Sequence, residues 1–146
     1  MIFSKSFGYA LRSVLYIALV CDENPRVQIE EVAIALHIPW HFLGKVMKQL
    51  AKEGIIDLVK GPFGGFSVNI KINATPLIKI ISLTDSTVQF NECILRLKKC
   101  NAAKPCPLHN QMEKNRKELT DIFKETTLGD LMKKTEKNLI GLFTLP

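Results

Sequence analysis

The fold is decided by residues Ile29–Ile70, which read IEEVAIALHIPWHFLGKVMKQLAKEGIIDLVKGPFGGFSVNI. Apolar residues at helical spacing predict a short helix near residues 30–36, and the dipeptide His37-Ile38 supplies the turn after it. Pro39 then stands at the first position of a second helix, because its fixed φ suits that position and its missing N–H is not needed there. This second helix is predicted to run to about Lys52.

Two strand-like runs follow the second helix, after Gly54 ends it. The runs cover residues 55–59 and 66–70, and they flank the glycine-rich segment Lys60–Gly65. Two short strands around such a turn predict a β-hairpin. A helix, a turn, a helix and a hairpin in this order are typical of the winged helix-turn-helix fold.

Another helix is predicted upstream, from about Lys5 to Cys21. Its apolar residues recur at helical spacing and form one broad stripe, namely Phe7, Ala10, Leu11, Val14, Leu15, Ile17 and Ala18. Asn24 and Pro25 then mark a connection. We therefore predict a winged helix-turn-helix DNA-binding domain over residues 1–75.

Residues 76–146 are predicted to form a sensing loop and dimerisation helices. Pro76 begins a short apolar helix, a long amphipathic helix covers about residues 108–124, and a last helix starts after Thr127, whose hydroxyl can cap it. Residues 85–107 show little periodicity and hold three of the four cysteines. The predicted fold class is mainly α: a winged helix-turn-helix with a small two-stranded β wing and a long C-terminal dimerisation helix.

The composition favours a small folded protein with an anionic partner. The chain has 146 residues, 47% of them hydrophobic, and a net charge of +6 with a pI near 9.2. Residues 1–70 hold seven Lys or Arg against six Asp or Glu, so the placement of the charges matters more than their sum. The apolar run Ala10–Val20 is too short for a membrane span and contains Arg12, and no leader peptide is evident. We expect a cytoplasmic protein with no membrane partner.

The second helix of the motif has the two faces expected of a DNA reader. Projection at ~100° per residue places apolar residues on one side, namely Leu43, Val46, Met47 and Leu50. The opposite side is neutral or basic and consists of His41, Lys45, Lys48 and Lys52. Gly44 lies beside that basic side and would let the backbone approach base edges. Lysines opposite a core face are often merely solvated, but the neighbouring helix and hairpin favour DNA, whose major groove admits an α-helix.

The hairpin tip is a second candidate contact with DNA. Lys60 stands beside Gly61 at this tip, and basic side chains are favoured where such a tip reaches a minor groove or the backbone. The alternative is an ordinary tight hairpin. Phe63 is unusual for that alternative, because an exposed aromatic side chain usually has a partner.

Over nearly its whole length the chain resembles the family of winged-helix transcription regulators that includes IscR and NsrR. The resemblance rests on Tyr9–Arg12, Ile38–Leu50, Gly54, Lys60–Phe66 and Thr127–Leu131. It implies a repressor that binds double-stranded operator DNA and senses iron–sulfur supply, nitric oxide or cysteine status. It also implies that His41, Gly44 and Lys45 contact bases and that Lys60 enters the minor groove.

Three cysteines and a histidine lie close together in the sequence, as Cys93, Cys100, Cys106 and His109. Three thiolates and an imidazole at this spacing can meet at one metal centre if the backbone between them is a loop. Nearby basic side chains lower the pKa of a thiol and stabilise an anionic cluster. These basic side chains are Lys98, Lys99 and Lys104.

The resemblance implies an iron–sulfur cluster on the three cysteines, either 2Fe-2S or 4Fe-4S. One NsrR type takes its fourth ligand from an aspartate of the partner subunit, and the matching position here is Gly8, which cannot serve. His109 is therefore the preferred fourth ligand, and Glu92 is the alternative. The residues alone leave open a clusterless redox thiol site, a structural zinc site and unreactive packed cysteines. Cys21 is predicted to be a small core residue, and His37 a turn residue rather than a ligand.

The long helix carries a near-heptad apolar stripe of Leu108, Met112, Leu119, Ile122 and Phe123. Such a stripe either packs on the core of its own chain or pairs with its twin. Pairing is favoured, because a two-fold homodimer reads two half-sites and a single reader helix binds weakly. A change in the neighbouring cysteine loop would then shift the two reader helices relative to each other.

The alternatives to a DNA-binding regulator are an enzyme and a winged helix that binds only proteins. An enzyme is not expected, because no Ser-His-Asp pattern, phosphate loop or paired-carboxylate motif accompanies the cysteines. A winged helix that binds only proteins would lack the steep salt dependence that phosphate neutralisation imposes on DNA binding.

Overall fold

A computed structural model describes residues 3–85, 90, 92, 93, 95 and 101–134 of the chain. In chain order the elements are α1 (Lys5–Val20), α2 (Ile29–Leu36), α3 (Trp40–Lys52), β1 (Ile56–Val59), β2 (Gly65–Val68), a 3₁₀ helix (Ile70–Ala74), α4 (Leu77–Thr84), α5 (His109–Glu125) and α6 (Leu128–Lys134). The predicted mainly helical winged helix, with a two-stranded wing and a long C-terminal helix, is confirmed. None of the helices in these ranges has the length and apolar character needed to cross a membrane.

Two predicted boundaries were wrong in detail. Pro39 caps α3 from outside, with an extended ψ of 123°, and is not the first helical residue. The second strand ends at Val68 rather than at residue 70. The reason is Asn69, whose side chain accepts a hydrogen bond of 3.0 Å from the Lys71 N–H. This local bond favours a turn over a continued strand, and it starts the 3₁₀ helix.

One hydrophobic core joins the predicted DNA-binding region to the helices that follow it. The centre is α1, whose Ala10, Val14 and Ile17 are fully buried. The same cluster of buried side chains includes Leu77, Ile80, Ile81 and Leu128. The boundary proposed near residue 75 stays a prediction, since the core itself is continuous.

The turn between α2 and α3 sets the direction of α3. His37 has a left-handed φ of 52°, and its N–H lies 3.3 Å from the Ile34 carbonyl oxygen. The next N–H, that of Ile38, donates to the Ala33 carbonyl oxygen at 3.0 Å, and the Ile38 side chain is buried. The prediction of His37 as a turn residue is confirmed.

A polar clamp holds α2 against α1. The Tyr16 hydroxyl donates to one carboxylate oxygen of Glu31 at 3.1 Å, and the Asn24 amide donates to the other at 2.9 Å. Burial, together with the hydrogen bond to Glu31, raises the pKa of Tyr16. The clamp fixes the first helix of the DNA-binding motif on the core.

The closing helix α6 begins with reciprocal capping. The Asp130 N–H donates to the Thr127 hydroxyl at 3.1 Å, and the Thr127 N–H donates to the Asp130 carboxylate at 2.9 Å. The predicted cap at Thr127 is therefore confirmed. The backbone hydrogen bond from Thr127 lowers the pKa of Asp130. The stabilisation of the folded state that follows from this lowered pKa is fully present above the pKa of Asp130 in the unfolded chain. It is lost as the pH falls through the lower pKa of Asp130 in the folded state.

Gly129 lets α6 lie directly on the 3₁₀ helix. A Cβ at this position would come within 2.5 Å of the Asn73 carbonyl oxygen, which belongs to backbone that cannot move easily. We predict that Gly129→Ala lowers the free energy of unfolding by about 1–3 kcal/mol, measured by urea denaturation.

Gly8→Ala is the matched control for that substitution. Gly8 lies inside α1, and a Cβ there meets nothing within 4 Å. This change should raise the stability by up to ~1 kcal/mol, because alanine is the better helix former. Equal stabilities for the two variants would contradict the packing of α6 on Asn73.

Candidate nucleic-acid interface and cysteine region

The helix α3 separates its buried and exposed sides as the projection predicts. Its buried side chains are Leu43, Val46, Met47 and Leu50. Its exposed basic or neutral side, here called the reader face, consists of His41, Lys45, Lys48 and Lys52. No acidic residue occurs between Trp40 and Lys52, so the whole exposed surface of this helix is neutral or positive. That surface suits a groove lined by phosphates.

The sequence patterns did not single out two exposed aromatic residues at the start of α3 as candidates for DNA contact. Trp40 is 68% exposed and Phe42 is 56% exposed, and they stand on either side of His41. The His41 ring lies 4.5 Å from that of Phe42, measured between centroids. The signal in the sequence was two large aromatic residues outside the apolar set of the helix. Such side chains can contact the methyl group of thymine.

Gly44 differs in part from its predicted placement. The residue is half-buried, and a Cβ there would lie 3.5 Å from the terminal methyl group of Ile29 in α2. Gly44 thus lies toward α2 and does not simply open the backbone to solvent. Its contact with DNA stays a prediction.

The wing tip, Lys60–Gly65, is a tight turn with little freedom. Gly61 has a φ of 108°, which favours glycine. A Cβ on Gly64 would lie 2.0 Å from the Val59 carbonyl oxygen, so only glycine fits. The Gly64 N–H closes the turn on the Gly61 carbonyl oxygen at 3.0 Å. This turn leaves Lys60 exposed and Phe63 86% exposed.

The segment before α2 braces the wing tip. An Nη of Arg26 donates to the Phe63 carbonyl oxygen at 3.2 Å, and the Gln28 amide donates to the Gly64 carbonyl oxygen. Between them, Val27 pairs with Phe66 through two backbone hydrogen bonds of 2.8 Å. No local sequence pattern indicates this brace, because its partners are far apart in the chain. It brings the exposed cation Arg26 next to the wing.

The cysteine region is described in part. Cys93 and His109 are buried, Cys106 is half-buried, and the His109 N–H donates to the Cys106 carbonyl oxygen at 2.9 Å. Cys100 lies outside the described residues, as do Lys98 and Lys99. Among the residues that are described, no three His, Cys, Asp or Glu side chains are close enough together to hold a metal ion. The predicted ligand set therefore stays a prediction.

Two sets of contacts tie the start of the cysteine region to α5 and to Phe3, which precedes α1. An Nη of Arg116 in α5 donates to the Glu92 carbonyl oxygen at 2.7 Å, directly before Cys93. The Phe90 ring is buried and lies 6.0 Å from Phe3 and 6.5 Å from Phe123, measured between centroids. These contacts join the start of the cysteine region to the long helix and to the aromatic side chains packed beside it.

The Arg116 contact leads to a prediction about Cys93. We expect Arg116→Ala to raise the rate at which iodoacetamide alkylates Cys93 by about tenfold or more, because local opening of this segment no longer breaks a hydrogen bond to a charged group. Peptide mass spectrometry measures the rate for each cysteine. Lys117→Ala removes the neighbouring exposed cation and should leave the rate unchanged. Equal rates for Arg116→Ala and the parent protein would show that Arg116 does not hold this segment.

Cys21 does not lie in the core, contrary to the prediction. It caps the C-terminal end of α1, is half-buried, and its Sγ lies 3.1 Å from the Ala18 carbonyl oxygen. The apolar stripe of α1 predicted burial, but the helix ends one residue earlier, at Val20.

The apolar stripe of α5 divides between two surroundings. Leu119 and Phe123 pack on the core of their own chain, and the Phe123 ring lies 5.0 Å from Phe3. The prediction that the whole stripe pairs with a twin is therefore wrong for these two residues. Leu108 and Ile122 remain 43% and 55% exposed.

The fold and the reader face define a class of protein, a winged-helix DNA-binding regulator. The chain belongs to the Rrf2 family, described as iron-dependent transcriptional regulators, whose profile matches residues 3–134. The resemblance found in the sequence is thereby confirmed.

Individual relatives agree with this assignment. The chain is 39% identical over 141 residues to a protein of Aquifex aeolicus that carries the name HTH-type transcriptional regulator, covering 95% of this chain and 96% of that protein. It is 27% identical over 128 residues to IscR of Vibrio cholerae, covering 88% of this chain and 73% of that one. Among solved structures, CymR, the global cysteine regulator of B. subtilis, is similar in fold, with a TM-score of 0.74 at 17% identity, covering 92% of this chain and 98% of that one.

The chain is therefore a DNA-binding transcription regulator. Its relatives are regulators rather than enzymes, so the expectation that it is not an enzyme is confirmed.

Proposed function

We propose that the chain is a homodimeric repressor that binds operator DNA through the reader face and the wing tip. An iron–sulfur cluster on Cys93, Cys100, Cys106 and His109 controls this binding. The observation that carries the DNA contact is the exposure of Lys45, Lys48 and Lys52 on one side of α3, opposite its buried side. These cations can neutralise phosphates on the edges of a major groove while His41 and the helix start meet the bases.

The dimer is supported by the outer part of the apolar stripe on α5. Leu108 and Ile122 are large apolar side chains at opposite ends of this helix, and they remain exposed in the single chain. A second copy of α5 would cover them. A two-fold pair would then present two reader helices to half-sites about one helical turn apart.

The described ligands fit a cluster in their chemistry and their burial. Thiolates suit iron–sulfur clusters, and the buried Cys93 and His109 would shield the cluster from solvent. Glu113 lies 3.4 Å from Nε2 of His109. A carboxylate near the ring nitrogen that does not bind the metal is common at metal-binding histidines. When bound, the cluster would give the loop a state that depends on iron supply or oxidation.

A second candidate is control by the cysteine thiols without a cluster. The observation that favours it is the half-buried Cys106, whose neighbours in the chain are exposed, so that oxidants can reach it. The name of the B. subtilis relative in fold, a global cysteine regulator, fits the same idea.

One experiment tests the proposal and separates the two candidates. Anaerobically purified protein would select duplexes from a random library, and the selected duplex would then be titrated with cluster-loaded and cluster-free protein. We expect the two forms to differ by about tenfold or more in affinity, which is the usual scale of coupling between sites. If the anaerobic protein contains no iron or sulfide and its affinity for the duplex changes with oxidant, the proposed control by a cluster is replaced by control through the thiols.

A further inference from the structure

The apex of the wing carries a large apolar side chain that does not pack on the core. Phe63 is 86% exposed, a value that only Ile70 matches among the exposed large apolar side chains of the described residues. Its ring therefore contributes almost nothing to the core. Single exposed apolar side chains are common on protein surfaces, so the exposure of Phe63 gains its meaning from the rigid turn that carries it and from the cations beside it.

The wing tip holds the backbone that carries this ring in a fixed conformation. Gly64 admits no side chain, and the turn is closed by the hydrogen bond between Gly64 and Gly61. Arg26 and Gln28 bind the two carbonyl oxygens at the apex, those of Phe63 and Gly64. Because the backbone is already ordered, insertion of the ring into a partner costs little backbone conformational entropy.

The surroundings of Phe63 indicate what that partner is. Lys60 and Arg26 are both exposed cations beside the apex, and Phe63 itself stands between glycines and a proline. An apolar ring flanked by cations fits a groove with charged edges and an apolar interior. The duplex between its phosphate backbones has this character, and apolar wedges in the minor groove are known to part base steps.

We propose that Phe63 is a wedge that enters the minor groove of the operator, partly unstacks one base step and kinks the duplex. This inference rests on the proposed function, since it needs the wing to reach DNA. The wedge adds a further source of specificity, because the protein would favour operators in which the base-pair step beneath each wing is easily deformed. Pyrimidine–purine steps are the easiest to unstack, so TA or CA should be preferred there although no hydrogen bond reads them.

The test compares two variants that lose equally exposed apolar side chains. Phe63→Ala removes the wedge, and Ile70→Ala removes the 86% exposed side chain just beyond β2. Neither change should alter the thermal midpoint, because neither side chain is buried. The probe is the duplex selected by the parent protein, placed at several positions in fragments of equal length so that gel mobility reports the bend.

The parent protein and Ile70→Ala should bend the duplex by roughly 20–90°. Phe63→Ala should still bind, with an affinity lower by about tenfold, but with little bend and no preference for TA or CA at the wing positions. An unchanged bend and an unchanged preference in Phe63→Ala would overturn the wedge while leaving the regulator intact. Failure of the parent protein to select any duplex would overturn the proposed function and the wedge together.

Discussion

Replacing Lys45 by glutamate is expected to weaken binding of the selected operator by roughly 100-fold or more. Lys45 is exposed at the middle of the reader face, and its replacement puts a negative charge against phosphates and base edges. The expected loss is large because the proposed dimer would carry the change twice. Fluorescence anisotropy with a labelled duplex, at fixed salt, measures the affinity.

The matched control for this substitution is Lys114→Glu. Lys114 has a side chain that is 76% exposed on α5, and its Nζ lies 4.0 Å from a carboxylate oxygen of Glu118. The two variants have the same net charge, so a general loss of attraction to DNA would weaken both equally. Equal weakening of the two would show that α3 is not the reader.

The second large effect is expected at the cysteines. Changing Cys93, Cys100 or Cys106 to alanine should remove most of the visible absorption of the anaerobic protein and most of its iron, because each is a proposed ligand of the same cluster. The affinity for the operator should then no longer respond to iron chelation. Absorption spectra with iron and sulfide analysis provide the measurement.

Cys21→Ala is the control for the three ligand variants. Its thiol lies at the end of α1 and contacts the Ala18 carbonyl oxygen, so its loss should leave colour and iron unchanged. Colour that survives all three ligand substitutions would place the chromophore elsewhere. Full colour in His109→Ala would remove only the fourth ligand from the proposal and favour Glu92.

Much of the reader could be predicted because it depends on local patterns. Helical spacing separated the buried Leu43 and Met47 from the exposed Lys45 and Lys48, and the structure agrees. The turn at His37 and the cap at Thr127 also follow from residues only a few positions apart.

The rest could not be predicted because it depends on distant residues. The contact between Arg26 and Phe63 joins residues 37 positions apart, and no local sequence pattern near either residue indicates it. The near-heptad pattern of α5 shows which residues are apolar, but it does not show which surface packs against them. Phe123 meets Phe3 and Phe7, whose positions depend on how the chain start folds over α5. Cys21 was placed wrongly for a related reason, since the apolar pattern of α1 does not show where the helix ends.

The central claim is that two symmetry-related copies of α3 lie in the major groove with their lysines toward DNA. Hydroxyl-radical footprinting of the selected duplex tests this most directly. We predict two protected tracts with centres about 10–10.5 base pairs apart, or a multiple of that spacing, both lost with Lys45→Glu and retained with Lys114→Glu. A single tract, or two tracts that survive Lys45→Glu, would contradict the claim.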